Sequence, residues 1–142
     1  MKAAPAKRNP MATLSSQQPL SQRVRTALVL NTDTDARESL CRLLGEAQIR
    51  ALGVPDGISA LRVLRQQAVD VLICEDLGGY HGVEILEACE ALFPNVRRVF
   101  LAKKAWPELH GEAILRGHAH ATVTNAMHPV DLRDIIAALV AQ

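Results

Sequence analysis

From about residue 26 onward, short apolar runs alternate with stretches whose apolar residues recur at helical spacing. The runs at residues 27–30 and 69–74 are the clearest, and a continuous apolar run of this length is typical of a strand buried on both faces. We predict strands over residues 27–30, 50–54, 69–74, 96–101 and 120–124, and helices over 36–47, 57–67, 83–92, 106–116 and 129–140.

Capping residues and apolar stripes support three of these helices. Asp33, Thr34 and Asp35 offer oxygens that can cap the first helix, and Pro129 suits the first turn of the last helix. The apolar side chains expected to face the core are Leu40, Leu43 and Leu44 in the first helix, Ile58, Leu61 and Leu64 in the second, and Leu132, Ile135, Ile136, Leu139 and Val140 in the last.

Five strand–helix repeats predict an α/β protein with a doubly wound, five-stranded parallel sheet and helices on both faces. In such a sheet, ligands and reactive groups lie in the loops at the carboxyl ends of the strands. Those loops begin at Asn31, Val54, Glu75, Ala102 and Thr124. A functional site is therefore expected among these residues.

Composition and charge divide the chain into two parts. Residues 1–24 are rich in Ala, Pro, Ser and Gln without apolar periodicity, which predicts a disordered basic tail before a domain over residues 25–142. The chain has a net charge of +1, whereas residues 26–142 hold 11 bases against 15 acids, a net charge of −4. This balance provides no overall field that would attract nucleic acid, and no apolar run is long enough to span a membrane.

Three cysteines, Cys41, Cys74 and Cys89, are an odd number and fit no metal-binding spacing. Such a set is typical of reduced thiols, so we expect a cytoplasmic protein. His118, His120 and His128 have no metal-ligand spacing either, and we expect them to be solvated.

Several short motifs follow one another in a characteristic order. They are Leu-Asn-Thr-Asp at 30–33 before Arg-Glu-Ser-Leu at 37–40, Pro-Asp-Gly at 55–57, Asp-Val-Leu-Ile-Cys-Glu at 70–75, Gly-Val-Glu-Ile-Leu at 82–86, and Pro129 with Leu132. This ordered set resembles the receiver domain of bacterial two-component response regulators, over about residues 26–141. The resemblance implies a flavodoxin-like sheet with strand order 2-1-3-4-5.

The resembled family transfers a phosphoryl group to an aspartate at the carboxyl edge of its sheet. Two acids after the first strand hold Mg²⁺, and the acceptor aspartate follows the third strand. A hydroxyl after the fourth strand and a lysine after the fifth bind the phosphoryl oxygens. A carboxylate nucleophile can attack a phosphoryl dianion only where a metal and a fixed cation offset the repulsion.

Nearly every one of those positions departs from the family pattern in this chain. The two acids correspond to Asn31 and Thr32, and the acceptor to Glu75. The remaining family positions correspond to Ala102 for the hydroxyl, Asn125 for the lysine, Ala126 for the proline that follows it and Thr122 for the aromatic switch residue. These departures together predict a dismantled phosphorylation site.

The chain is therefore expected to be a pseudo-receiver, a signalling module that acts through protein contacts without accepting phosphate, with no enzymatic activity and no cofactor. The alternative is a working receiver that uses Glu75 or Asp76 as acceptor with Mg²⁺. A flavodoxin-like enzyme or nucleotide binder is disfavoured, because residues 31–35 contain no glycine for a phosphate-binding loop.

Three interpretations of Glu75 remain open: mimicry of a phosphorylated aspartate, pairing with Lys103 or Lys104, or a tolerated polar loop residue. Asp33, Glu75 and Asp76 are weak candidates for a residual metal site. For Asp33, capping of the first helix is the expected role.

A partner surface is implied by the same resemblance. In the family, the fourth helix, the fifth strand and the last helix commonly bind a partner protein or a second copy. Here they correspond to residues 106–116, 120–124 and 129–141. Trp106, Met127 and Val130 are the candidate contact residues, and Trp in particular is enriched in interface hot spots. Nucleic acid and membrane are not expected as partners of this domain.

Overall fold

The computed structural model of the protein describes residues 23–75, 81–102, 119–124 and 128–141. Its strands are β1 (Thr26–Leu30), β2 (Arg50–Val54), β3 (Val71–Glu75), β4 (Arg97–Ala102) and β5 (Ala121–Thr124). They form one parallel sheet in the order β2-β1-β3-β4-β5, in which Ala27 pairs with Ala51 on one side and with Val71 on the other. The predicted fold class and strand order are confirmed.

Helices cover both faces of this sheet. They are α1 (Thr34–Glu46), α2 (Gly57–Gln66), α3 (His81–Leu92) and the last helix, α4 (Pro129–Val140). Because successive strand residues point to opposite faces, β1 and β3 each contribute to two cores. One core packs Val29 and Ile73 against α1 and α4, and the other packs Leu28 and Leu72 against α2 and α3.

The predicted elements match these bounds to within two residues wherever the structure describes the chain. The predicted helix over residues 106–116 lies outside the described residues. The same is true of residues 1–22, so the tail over 1–24 and the domain boundary at 25 stay predictions.

Ile58 corrects the predicted inner face of α2. Its side chain is 74% exposed, whereas Ala60 and Leu64 are buried. The face that packs on the sheet is centred on Gly57, Ala60, Leu61 and Leu64, and Ile58 lies about 100° around the helix from that centre. The prediction for Ile58 was wrong because a residue in the first turn can match the apolar spacing of a helix without lying on its buried face.

No helix in the described part of the chain is long and apolar enough to cross a membrane.

Candidate functional site

Two polar residues of neighbouring strands lie side by side at the carboxyl edge of the sheet. Leu30, the last residue of β1, pairs with Cys74 of β3, so Asn31 and Glu75 follow at the same level. Both residues are almost fully buried, with exposed fractions of 5% for Asn31 and 3% for Glu75. The structure therefore brings together two of the positions that the sequence singled out.

The Glu75 carboxylate spans the gap between these strands. Its Oε1 accepts a hydrogen bond from the backbone N–H of Thr32, with an N···O distance of 2.5 Å. A bond from a backbone N–H to a carboxylate is charge-assisted and stronger than one between neutral groups. This contact ties the end of β3 to the loop that follows β1.

Asn31 is also held through several polar groups. Its side-chain Oδ1 accepts the backbone N–H of Asp33 at 2.9 Å, and its own N–H donates to the carbonyl of Val54 at 3.1 Å. Its carbonyl accepts Nη1 of Arg37 at 2.8 Å. The side-chain amide oxygen is thus engaged within its own loop.

Among the described residues, Arg37 is a basic residue whose side chain bonds to this loop. Its side chain runs over β2, where a Cβ added at Gly53 would lie 2.8 Å from Arg37 Cγ. Nη2 of Arg37 donates to the Thr34 hydroxyl at 3.4 Å. Arg37 therefore braces the start of α1 against the β1 loop.

Asp33 caps α1, as the sequence predicts. Its carboxylate accepts the backbone N–H groups of Asp35 at 3.0 Å and Ala36 at 3.4 Å. Across the residues that the structure describes, no three His, Cys, Asp or Glu side chains are grouped so that they could hold a metal ion. Asp76, the third member of the weak metal candidate, lies outside those residues.

The other singled-out positions are described only in part. Ala102 is the last residue of β4, and Thr122 pairs with Phe100 in the register of β4 and β5. Val130 lies half-buried in the first turn of α4. Outside the described residues lie Asn125, Ala126, Trp106, Met127, Lys103, Lys104 and His118.

An apolar groove of about 500 Å³ borders the site. Ile58, Leu61 and Ile85 line it together with Thr32, so it runs from α2 towards the loop after β1. Two acidic residues, Asp56 and Glu84, also lie along the groove. Its position next to Thr32 makes it part of the same edge of the molecule.

Two histidines have structural partners that the sequence did not indicate. His128 caps α4, since its Nδ1 accepts the backbone N–H of Val130 at 3.1 Å. His120 accepts the backbone N–H of Arg98 through Nδ1 at 2.9 Å. Both residues keep much of their surface in contact with solvent, as predicted, but each side chain also carries a hydrogen bond. The His120 bond joins β4 to the start of β5, a pairing that no local pattern reveals.

His120 lies in a basic environment. Partial burial, followed by the positive charges of Arg98 and Arg97, holds the pKa of its imidazole below the ordinary value of 6.5, although Glu90 opposes this. Arg98 itself is 5% exposed, and its Nη2 lies 3.7 Å from a Glu90 carboxylate oxygen. The neutral form of His120, which can accept the Arg98 N–H, is therefore favoured.

No family model matches the sequence, and no curated protein matches it either. Solved structures do share its fold. A response regulator from Thermotoga maritima superposes with a TM-score of 0.78 at 12% identity, covering 84% of this chain and 100% of that one. A response regulator receiver domain protein from Methanospirillum hungatei gives 0.75 at 18% identity, covering 83% and 94%. The BeF₃-activated DrrB receiver domain gives 0.75 at 18% identity, covering 84% and 100%.

These likenesses define the class of fold. The chain has the doubly wound α/β fold of response-regulator receiver domains, with the strand order that the sequence predicted. Identities of this size establish the fold alone, and function has to be argued from the site.

Proposed function

We propose that this protein is a pseudo-receiver, a cytoplasmic signalling module of a two-component-type pathway that works through protein contacts without accepting phosphate. The observation that supports this most is the bond from Thr32 N–H to Glu75. At the position of the resembled family's acceptor, Oε1 of the carboxylate thus accepts a hydrogen bond from within the protein, at a residue with almost no exposed surface.

The groups at this edge do not fit Mg²⁺. Mg²⁺ keeps most of its water and is usually held by one or two carboxylates in near-octahedral geometry. After β1 the chain offers an amide at Asn31 and a hydroxyl at Thr32 in place of the two acids of the resembled family. The Asn31 oxygen accepts the Asp33 N–H, and the Asp33 carboxylate caps α1. Among the described residues of this edge, each of these groups is therefore neutral or already carries a hydrogen bond.

Phosphoryl transfer would also lack its fixed donors. Ala102 has no hydroxyl, and Asn125 has no positive charge. Removal of one such stabilising group typically slows a reaction by about 10²–10³-fold. Without both donors and the metal, the repulsion between a carboxylate and a phosphoryl dianion is not offset at the positions where the resembled family offsets it.

A protein partner or a second copy is then the ligand to be expected. We propose that it binds the face formed by residues 106–116, β5 and α4, which includes Trp106, Met127 and Val130. None of the residues that line the apolar groove beside Ile58 belongs to this proposed face.

Incubation of the full chain with acetyl phosphate and Mg²⁺, read by intact mass spectrometry, tests the proposal. We expect no adduct under conditions in which the DrrB receiver domain, run as the positive control, is modified. A stoichiometric, Mg²⁺-dependent adduct on the wild type would overturn the proposal. Its loss in either Glu75→Gln or Asp76→Asn would then identify the acceptor.

A pull-down with wild type and Trp106→Ala tests the proposed surface separately. We expect the variant to lose its main partner while keeping the same unfolding midpoint. Equal recovery of every partner by both proteins would remove this surface but leave the argument about phosphate intact.

A further inference from the structure

The amino edge of the sheet, opposite Glu75, contains a cavity of about 450 Å³. Arg23 and Arg25 line it from the segment before β1, Asp70 from the residue before β3, and Arg97 from the start of β4. These four residues are distant in sequence. Parallel packing brings them together because the amino ends of β1, β3 and β4 are neighbours in the sheet.

Positive charge exceeds negative charge in this cavity. Three basic residues, Arg23, Arg25 and Arg97, line it beside a single acidic residue, Asp70. Asp70 Oδ2 already accepts the backbone N–H of Thr26 at 2.8 Å, and Oδ1 lies 3.9 Å from Nη2 of Arg23. Within the described ranges, the side chains of Arg25 and Arg97 have no carboxylate partner. The local excess of two positive charges contrasts with the acidic remainder of the domain.

The backbone around the cavity is held in place by the sheet. The carbonyl of Arg25 accepts the Arg50 N–H at 2.8 Å, and the Arg97 N–H donates to the carbonyl of Asp70 at 2.9 Å. The Asp70 N–H donates in turn to the carbonyl of Thr26 at 2.8 Å. Because the backbone is fixed in this way, only the side chains of the cavity have to be ordered when a ligand binds.

We propose that this cavity, lined by Arg23, Arg25, Arg97 and Asp70, binds a compact anion with at least two negative charges, of the phosphate or diphosphate class. Guanidinium groups match phosphate oxygens in two-point geometry, and the cavity falls within the size range of small-ligand sites. The site lies at the opposite edge from Glu75, so it does not depend on the pseudo-receiver proposal.

A purely structural role is the competing explanation. Helix carboxyl ends carry partial negative charge, and the last turns of α1 and α4 contain no basic residue. A second cavity of about 250 Å³ places Arg23 and Arg25 beside Ala47 and Ala141, at these helix ends. If the arginines served only the helices, their removal would lower stability and leave anion binding unchanged.

Titration of the full, ¹⁵N-labelled chain with pyrophosphate, followed by amide NMR, tests the proposal. We expect one saturable site, with the largest shifts at the amides of Thr26, Asp70 and Arg97. Orthophosphate, which carries less charge, should bind more weakly at the same amides. Pyrophosphate should also raise the thermal unfolding midpoint, because a ligand that binds the folded state stabilises it.

Substitutions in the cavity provide the matched comparison. Arg97→Gln and Arg25→Gln should each weaken pyrophosphate binding about tenfold, the size of one lost charge-assisted hydrogen bond. Arg50→Gln removes the same charge from an exposed residue at the start of β2, outside both cavities, and should change the affinity by less than about twofold. If Arg97→Gln does not fold, Arg97→Lys keeps the charge, and its affinity should lie between those of wild type and Arg25→Gln.

Four results would overturn the proposal. The first is the absence of a saturable shift, and the second is a loss of pyrophosphate affinity in the Arg50→Gln control as large as that in the cavity variants. The third is unchanged pyrophosphate binding in Arg25→Gln and Arg97→Gln proteins that are destabilised. The fourth is binding of long polyanions such as poly-glutamate without binding of pyrophosphate. The last result would mark the edge as a surface for an acidic macromolecule.

Discussion

The Glu75 carboxylate is engaged in a hydrogen bond within the protein. At the end of β3 its longer side chain reaches the Thr32 N–H, so the carboxylate serves the structure of the loop. Of the three interpretations left open by the sequence, pairing with Lys103 or Lys104 involves residues outside the described part. The bond to Thr32 is a fourth role, which the sequence did not suggest because it joins two distant loops.

Two substitutions at this residue separate the hydrogen bond from the charge. Glu75→Gln keeps an oxygen that can accept the Thr32 N–H, whereas Glu75→Ala leaves that N–H without its partner. We expect the alanine variant to be less stable than the glutamine variant by about 1–3 kcal/mol, measured by urea denaturation. Equal stability of the two variants would show that the bond to Thr32 does not matter.

The lowered pKa of His120 predicts that the stability of the protein depends on pH. Its pKa is lowered in the folded state, so the unfolded chain takes up the proton first as the pH falls. The stabilising effect of neutral His120 is therefore complete above its ordinary value of 6.5 and is lost as the pH drops below that value. His120→Asn offers an oxygen in place of Nδ1 and does not titrate, so its denaturation midpoints should fall less steeply below this pH than those of wild type.

His120→Ala provides the control for the hydrogen bond itself. Without an acceptor for the Arg98 N–H, we expect it to lose about 0.5–1.5 kcal/mol of stability at neutral pH relative to His120→Asn. Identical pH profiles for wild type and His120→Asn would contradict the proposed origin of the pH dependence.

At the scale of elements, α1 and β2 meet through Arg37 and Gly53. A methyl group at Gly53 would collide with Arg37 Cγ at 2.8 Å and displace the side chain that donates to the Asn31 carbonyl. We expect Gly53→Ala to cost about 1–3 kcal/mol in the wild type, although alanine ordinarily suits a strand better than glycine.

A double-mutant cycle isolates this contact. In an Arg37→Ala background the collision is absent, so Gly53→Ala should be neutral or stabilising there. Urea denaturation of the four proteins gives the coupling energy between residues 37 and 53. A coupling energy near zero would show that Gly53 is needed for another reason.

Helix α2 provides a second test at this scale. Ile58 is 74% exposed, whereas Leu64 of the same helix is buried in the core with Leu28 and Leu72. Ile58→Gln should change the free energy of unfolding by less than about 0.5 kcal/mol, and Leu64→Ala should cost about 2–5 kcal/mol. A large loss of stability in Ile58→Gln would instead support the sequence-based prediction that Ile58 faces the core.

For the molecule as a whole, the fold was predictable because it depends on the spacing of apolar residues along the chain and on the order in which strands and helices follow one another. Apolar runs marked β1 and β3 as buried strands, and the repeat of strand and helix led to the parallel sheet. The Asp33 cap was predictable because a cap is local. The Thr32–Glu75 bond and the Arg98–His120 bond were not, since each joins residues far apart in sequence.

Among the residues that the structure describes, charge is distributed unequally between the two edges of the sheet. The carboxyl edge carries three acids, Asp33, Asp56 and Glu75, beside one base, Arg37, whereas the amino edge carries three bases, Arg23, Arg25 and Arg97, beside one acid, Asp70. The net charge of the chain hides this separation, because opposite charges at the two edges cancel in the sum.

We propose that the carboxyl edge holds no metal site, because Asn31, Asp33 and Glu75 each accept a backbone hydrogen bond. Titration of the full chain with Mg²⁺, followed by amide NMR, tests this claim most directly. We expect no saturable shifts at Asn31, Thr32 and Glu75 beyond the gradual change caused by ionic strength. A saturable, single-site response confined to these three amides would contradict the account.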